Sequence, residues 1–201
     1  MKTNSQLNEG AYNGRLPDIL SREEQKALLA MPNKKAPTGM RNYALMTVYL
    51  NLGLRVSEAL NLEVDDIDWN SGRLLVRAGK GNRDRVLWLS DRDLGTLQRW
   101  RSMRKCSSAY LFCTLDGGRL SDRYVRAFVK RYAKKAGIKK DVHPHILRHT
   151  FATDLLHDTA NIRLVQKALG HASLATTMIY THIVDEQLES ALKGLRAKKE
   201  K

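Results

Sequence analysis

The chain has 201 residues and is 42% hydrophobic, which is enough to bury a core in one or two small domains. Its 35 lysine and arginine residues against 21 acidic ones give a formal net charge of +14, which favours nucleic acid as a partner and leaves an acidic membrane surface as the alternative. No apolar run predicts a membrane span or a signal peptide, and Cys106 and Cys113 are expected to be free thiols in the cytoplasm.

In chain order, the sequence predicts helices, a small sheet and more helices. Residues 1–16 show no apolar periodicity and are expected to form a flexible tail or a linker remnant. Capping residues, helical apolar spacing and glycine or proline stops then recur along the chain. The predicted helices cover 21–31, 41–52, a short segment from about 57, 90–103, 121–136, 144–157, 162–169, a segment from 173 that carries Tyr180, and 185–201.

Two segments rich in Val and Leu, 73–78 and 83–89, predict the strands of an antiparallel hairpin. The glycines of Gly79-Lys80-Gly81-Asn82 permit positive φ and predict the turn between them. A further short strand is expected at 110–113. The predicted fold class is therefore α+β, mostly α, with helices around a small antiparallel sheet.

The helix predicted over 121–136 has two contrasting faces. Val125, Phe128 and Tyr132 fall on an apolar side at helical spacing. A row of basic residues, here named the cationic ridge, falls on the opposite side. The cationic ridge consists of Arg123, Arg126, Lys130 and Lys134. Contact with DNA and simple solvation of a helix face are both open interpretations of this pattern.

All six histidines lie between 143 and 182, which raises the possibility of a metal site. His145 and His149 share a helix face, but there is no His-Glu-x-x-His pattern and the nearest acids show no ligand-like spacing. We therefore expect neither a metal nor a cofactor. Taken singly, an arginine after a helix stop, a lysine in a glycine turn or a half-buried tyrosine is an ordinary structural feature.

Four motifs occur together, in a fixed order. They are Gly53-Leu54-Arg55-Val56-Ser57-Glu58, Gly79-Lys80-Gly81-Asn82, His143-Pro144-His145-Ile146-Leu147-Arg148-His149, and Leu169-Gly170-His171 followed by Ile179-Tyr180-Thr181-His182. In this combination the chain resembles the tyrosine recombinase family, and most closely its Xer and phage-integrase branch. The resemblance extends from Leu16 to about Leu195.

The resemblance implies a role for each motif residue. Arg55 and Arg148 would hold the non-bridging oxygens of a DNA phosphate, His171 would add a hydrogen bond to it, and Glu58 would support the first arginine. Guanidinium forks suit this task because each offers planar, paired donors to phosphate oxygens.

The remaining roles implied by the resemblance concern proton transfer and bond formation. Tyr180 would attack the phosphodiester to give a 3′-phosphotyrosyl link and a free 5′-hydroxyl. His145 would help to move the tyrosine proton, and Lys80 would protonate the departing 5′-oxygen. The covalent ester conserves the bond energy, so rejoining would need neither ATP nor a metal.

The expected organisation is a catalytic domain over 17–184 and a C-terminal helix with a basic tail over 185–201. Relatives carry an N-terminal helical domain that closes around DNA, so this sequence is interpreted either as a fragment or as a short recombinase. The resemblance implies double-stranded DNA as the partner, a tetramer on two DNA sites with 185–201 exchanged between protomers, no membrane, and a cytoplasmic, nucleoid-associated location.

Three other functions remain as alternatives. A type IB topoisomerase would use related chemistry to relax supercoils without joining two sites. A catalytically silent DNA-binding protein would keep the fold alone. A metal-dependent nuclease built on the histidines would lose activity in chelator.

Overall fold

The computed structural model describes residues 18–77 and 84–171. Within these ranges the chain forms helices α1–α7, one 3-10 helix and strands β1 and β2, so the α+β, mostly α fold class is confirmed. The elements in chain order are α1 (Arg22–Ala30), α2 (Pro37–Leu52), α3 (Val56–Asn61), the 3-10 helix (Val64–Asp66), β1 (Arg73–Val76), β2 (Arg85–Trp88), α4 (Asp91–Met103), α5 (Asp122–Lys135), α6 (Pro144–Thr159) and α7 (Ile162–Leu169).

The first helix begins at the predicted capping box. The Ser21 hydroxyl accepts the backbone N–H of Glu24, and the Glu24 carboxylate accepts that of Ser21. The Glu24 carboxylate also accepts a hydrogen bond from the Lys140 ammonium at 2.5 Å. The backbone N–H of Leu20 donates to the Thr150 hydroxyl at 3.0 Å. These hydrogen bonds join the start of the described chain to α6 and to the loop before it.

Helix α2 is the central helix of the domain. Its residues from Gly39 to Leu50 are all buried, as the sequence predicted for a helix that is apolar on several faces. It packs chiefly against α4 and α6. It begins four residues earlier than predicted, because Pro37 occupies the first helical position, where its missing N–H costs no hydrogen bond.

The sheet is a two-stranded antiparallel hairpin in which Arg73 pairs with Trp88 and Val76 with Arg85. Leu74 also forms an isolated bridge with Ile67. Both strands are shorter than predicted, and the predicted turn at 79–82 lies outside the described residues. The strand expected at 110–113 is present only as isolated bridges at Tyr110 and Cys113.

The remaining described helices match their predicted positions closely. Ser90 and Ser121 cap α4 and α5 through their hydroxyls, and Gly170 ends α7 in the left-handed conformation. Helix α6 runs two residues beyond its predicted end at His157. A large core surrounds α2, and a smaller apolar cluster joins α6 to α7.

Several predictions fall outside the described residues. These are the tail at 1–16, the helix carrying Tyr180 and the C-terminal segment 185–201. Cys106 and Cys113 are free thiols whose sulfur atoms lie 3.3 Å apart. None of the described helices is both long enough and apolar enough to cross a membrane.

Candidate active site

The site begins where α2 ends. Gly53 has φ 61°, and a Cβ there would lie 2.2 Å from the Phe151 ring, so only glycine fits this turn. Two residues later Arg55 stands at the N-terminal boundary of α3 with an extended backbone. Its side chain remains 33% exposed, which leaves the guanidinium accessible from outside the domain.

Arg148 enters the site from α6 and is buried. One of its terminal nitrogens donates to the Gly53 carbonyl at 2.6 Å. The other donates to the Leu169 carbonyl at 2.9 Å and lies 3.2 Å from Nε2 of His171. This one guanidinium therefore links the ends of α2 and α7, which lie far apart in the sequence.

Glu58 lies at the centre of three arginines. Its Oε1 is 2.9 Å from Nη1 of Arg55, and its Oε2 is 3.7 Å from Nη1 of Arg148. Arg85, on β2, donates to both carboxylate oxygens, each at 2.9 Å. The backbone N–H of Arg55 adds a further hydrogen bond at 2.8 Å.

These contacts keep Glu58 ionised. Burial alone would raise the pKa of its carboxyl group, but the hydrogen bonds and charge of Arg85, the Arg55 N–H and the charge of Arg148 outweigh burial and hold the pKa at about 2. At neutral pH one carboxylate therefore balances part of the positive charge of three guanidiniums.

His171 follows the end of α7. Burial, and then the charges of Arg148, Arg55 and Arg85, lower the pKa of its imidazole to about 4. Since arginine is a donor only, its hydrogen bond to Nε2 requires that nitrogen to be unprotonated. His171 is accordingly neutral at pH 7, with its proton on Nδ1.

His145 lies on the exposed side of α6, one turn before Arg148. Its ring centroid is 6.3 Å from those of His143 and His149. Burial, followed by the charges of His143 and Arg148, lowers its pKa. A neutral imidazole at this position can accept a proton at physiological pH.

The structure thus brings Arg55, Glu58, Arg148 and His171 into one cluster, and His145 lies one turn before Arg148 on α6. Lys80 and Tyr180 lie outside the described residues. The sequence motifs do not include Arg85, which lies in the predicted strand 83–89. A signal was available, because the strand pattern places Arg85 at a buried position. A buried arginine needs an acidic partner, so this position indicates a contact with an acidic residue.

The cationic ridge lies on the exposed face of α5, as its spacing predicted. Arg126 pairs with Asp122 at 2.8 Å and Lys130 pairs with Asp141 at 2.8 Å, all four side chains being largely exposed. Such surface pairs are weak and exchange readily for other anions. Within residues 18–77 and 84–171, no group of three or more His, Cys, Asp or Glu side chains could hold a metal ion.

The phage integrase family model matches residues 18–187, a range that contains every motif residue named above. The chain belongs to the phage integrase family. The resemblance to tyrosine recombinases that the sequence motifs carried is thereby confirmed.

Individual members of the phage integrase family agree with this assignment. The chain is 39% identical over 170 residues to tyrosine recombinase XerC of Xanthomonas axonopodis pv. citri (strain 306), covering 84% of this chain and 55% of the relative. It is similar to the crystal structure of XerA recombinase, with 36% identity, a TM-score of 0.77 and coverage of 90% of this chain and 66% of the other.

A third relative was solved with DNA. The XerH site-specific recombinase, in a post-cleavage complex with a palindromic difH substrate, is 34% identical with a TM-score of 0.77, covering 95% of this chain and 56% of the other. The chain spans between half and two thirds of the length of these relatives.

Proposed function

We propose that this protein is a site-specific tyrosine recombinase that cleaves and rejoins double-stranded DNA through Tyr180. The observation that carries the proposal is the cluster in which Arg55 and Arg148 contact the buried carboxylate of Glu58 and His171 contacts Arg148. Membership of the phage integrase family and the likeness to a DNA-bound XerH support the substrate class. The activity comprises DNA integration or other forms of DNA recombination.

The arginine cluster suits phosphoryl transfer because that reaction needs charge stabilisation and positioning more than covalent help. Three guanidiniums against one carboxylate leave a net excess of two positive charges (3 − 1). The attacked phosphate gains negative charge in its transition state, so this fixed excess favours that state over the ground state. Arg55 and Arg148 are the proposed ligands of the non-bridging oxygens.

His171 would complete the phosphate site. In the proposal, the neutral ring donates its Nδ1–H to the phosphate when DNA is bound, while Nε2 stays beside Arg148. A neutral donor can approach the two guanidiniums without adding to their mutual repulsion, which an imidazolium would increase.

The proposed reaction moves one proton at each end of the phosphodiester. As the Tyr180 oxygen bonds to phosphorus, His145 takes up its proton. The bond to the 5′-oxygen breaks, and Lys80 donates a proton to give a free 5′-hydroxyl. Rejoining reverses these steps with a second 5′-hydroxyl, so atoms and charge balance without a cofactor.

The cationic ridge is the proposed DNA contact outside the reaction centre. Lysine and arginine on an exposed helix face can bind backbone phosphates, and such binding weakens as salt rises. The acids that now pair with Arg126 and Lys130 would be replaced by phosphate oxygens. The ridge thus positions the duplex and carries no base specificity by itself.

Assembly and location follow from the same reaction. Exchange of strands between two duplexes requires several cleaving subunits, so we propose a tetramer on two DNA sites, joined by segment 185–201. The proposed domain runs over 17–184, with 1–16 as a tail or linker. A protein acting on genomic DNA works in the cytoplasm, associated with the nucleoid.

A two-site assay tests the proposal against its alternatives. Two labelled duplexes carrying the recombination site, selected from DNA flanking the gene, are incubated with the protein, both with and without a chelator. Recombinant duplexes are the expected product. Relaxation of supercoiled DNA without recombinants would favour a topoisomerase, and DNA binding without either product would favour a silent binding protein. Loss of activity only in chelator would favour a metal-dependent nuclease.

A further inference from the structure

Arg85 is a buried side chain that commits every nitrogen of its guanidinium to the candidate site. Its two terminal nitrogens donate to the two oxygens of Glu58, each at 2.9 Å. Its Nε donates to the carbonyl of Ala168 in the last turn of α7 at 2.8 Å. With only 7% of the side chain exposed, Arg85 is not available to contact DNA directly.

We propose that Arg85 is a positioning residue for the cleavage reaction. Through Glu58 and the end of α7, it keeps the proposed phosphate-binding arginines and His171 in fixed positions relative to one another. The inference rests on the proposed function and extends it to a residue that contacts neither phosphate nor reacting atoms.

Arg85 holds the carboxylate of Glu58 in place. Arg55 contacts both oxygens of Glu58 from the same helical turn, through Nη1 to Oε1 and through its backbone N–H to Oε2, and Arg148 lies 3.7 Å from Oε2. The contacts from Arg55 are local to the start of α3, so they do not fix the carboxylate relative to β2. The forked contact from Arg85 engages both oxygens and so fixes the plane of the carboxylate. Fixing that plane sets where the guanidinium of Arg55 lies.

Arg85 also holds the end of α7 in place. The carbonyls of Ala168 and Leu169 belong to the end of the helix, where no further turn supplies N–H partners. Arg85 donates a hydrogen bond to the Ala168 carbonyl, and Arg148 donates one to the Leu169 carbonyl. Cations at this end also oppose the partial negative charge of the helix terminus. The two arginines therefore fix the segment from which His171 projects.

Gly170 makes this arrangement possible. It has φ 64°, and a Cβ there would lie 2.9 Å from Nη1 of Arg85. The guanidinium occupies the space that any other residue would fill. The backbone before His171 and the Arg85 side chain are thus packed directly against each other.

Arg85 is also the first residue of β2 and follows Lys80 by five positions in the sequence. The same side chain therefore ties the strand after the proposed general acid to the arginine cluster. Arg85 thus connects β2 to α3, which follows Arg55, and to the end of α7, which precedes His171.

The test separates positioning from a general contribution to folding. Arg85→Gln removes the fork and the charge, and Arg85→Lys keeps the charge without the fork. The matched control is Arg77→Gln. Arg77 follows the last residue of β1, and its ion pairs are with Glu63 and with the buried Asp66, at 3.3 and 2.9 Å, rather than with Glu58. The full chain is reacted in excess over a nicked duplex carrying the recombination site, and both the rate constant and the amplitude of covalent adduct formation are measured.

We expect both Arg85 variants to form the adduct about 10- to 100-fold more slowly than wild type, as for loss of other residues that orient a reactive group, with DNA affinity little changed. Arg77→Gln should keep the wild-type rate constant. A reduced amplitude with an unchanged rate constant in both Arg85 variants, or full recovery of the rate in Arg85→Lys, would overturn the inference. If Arg85→Gln does not fold, Arg85→Lys, which keeps Glu58 neutralised, decides the matter.

A second readout is independent of the proposed function. The His171 ring is titrated by NMR, where loss of the Arg85 charge should raise the pKa of the imidazole in Arg85→Gln and leave it in Arg77→Gln. An unchanged pKa in both would contradict the inference even if no DNA substrate reacts. Failure of wild type to form an adduct, with the NMR shift present, would instead contradict the proposed function.

Discussion

The Arg148 guanidinium donates to the carbonyl oxygen of Gly53 at 2.6 Å. This bond joins α6 to the turn that ends α2, two residues before Arg55. The two proposed phosphate ligands are therefore held together by the backbone of a glycine turn as well as by Glu58. The spacing between them depends on both supports.

Arg148→Lys should slow DNA cleavage by about 10²- to 10³-fold, the usual effect of removing one donor that stabilises transition-state charge. Lysine keeps the charge but cannot contact Gly53, Leu169 and a phosphate at the same time. The measurement is the single-turnover rate of adduct formation on a nicked duplex. Arg99→Lys, on the exposed face of α4, is the control and should react at the wild-type rate.

Gly53→Ala should lower the free energy of unfolding by about 2 kcal/mol or more, since alanine is strained at positive φ and its Cβ would meet Phe151. Denaturant unfolding measures this. In Gly95→Ala, where a Cβ has nothing within 4 Å and the backbone is helical, we expect a gain of about 0.5–1 kcal/mol. Equal stability of the two variants would contradict the account of the turn.

His171 should make the folded state less stable in acid. Its folded pKa of about 4 lies below the value of about 6.5 for an unfolded histidine. The unfolded state therefore binds the proton first, and this contribution to stability, complete above pH 6.5, is lost as the pH falls toward 4. Partial exposure of the ring reduces its size.

Unfolding curves at pH 7, 5.5 and 4.5 measure this pH dependence, with His171→Gln expected to weaken it. His157→Gln, at the exposed end of α6, is the control and should retain the wild-type slope. Identical slopes in both variants would show that His171 does not keep a depressed pKa.

Arg123→Ala combined with Lys134→Ala should weaken DNA binding and reduce its dependence on salt. Each lost phosphate contact lowers the slope of log K against log salt by about 0.9. Binding is measured by fluorescence anisotropy from about 50 to 200 mM salt, a range over which loss of phosphate contacts lowers affinity strongly. Lys26→Ala on the exposed face of α1 is the matched control, and the ridge is not a DNA contact if all curves coincide.

Much of the fold follows from local signals in the sequence. The capping boxes and hydroxyl caps at Ser21, Ser90 and Ser121, and the glycine stops at Gly53 and Gly170, each act within one helical turn, so their sequence patterns predict element boundaries well. The early start of α2 is harder to predict, because Thr38 and Gly39 are poor helix formers and only Pro37, which suits the first helical position, signals it.

The candidate site was predictable only as a set of motifs. The resemblance named Arg55 and Arg148, but their connection through the Gly53 carbonyl spans 95 positions and has no local signature. Arg85 was missed for the same reason, because its partners Glu58 and Ala168 lie far away in the sequence. Long-range polar contacts depend on packing that apolar periodicity does not encode.

The central claim is that Tyr180 becomes covalently bonded to DNA. Wild type and Tyr180→Phe are incubated, without metal, with nicked duplexes from DNA flanking the gene, and SDS-resistant adducts are digested and sequenced by mass spectrometry. The account predicts an adduct with wild type only, in which a DNA 3′-phosphate is attached to Tyr180 and the other product carries a 5′-hydroxyl. An adduct of equal yield with Tyr180→Phe, or attachment to a different residue, would contradict it.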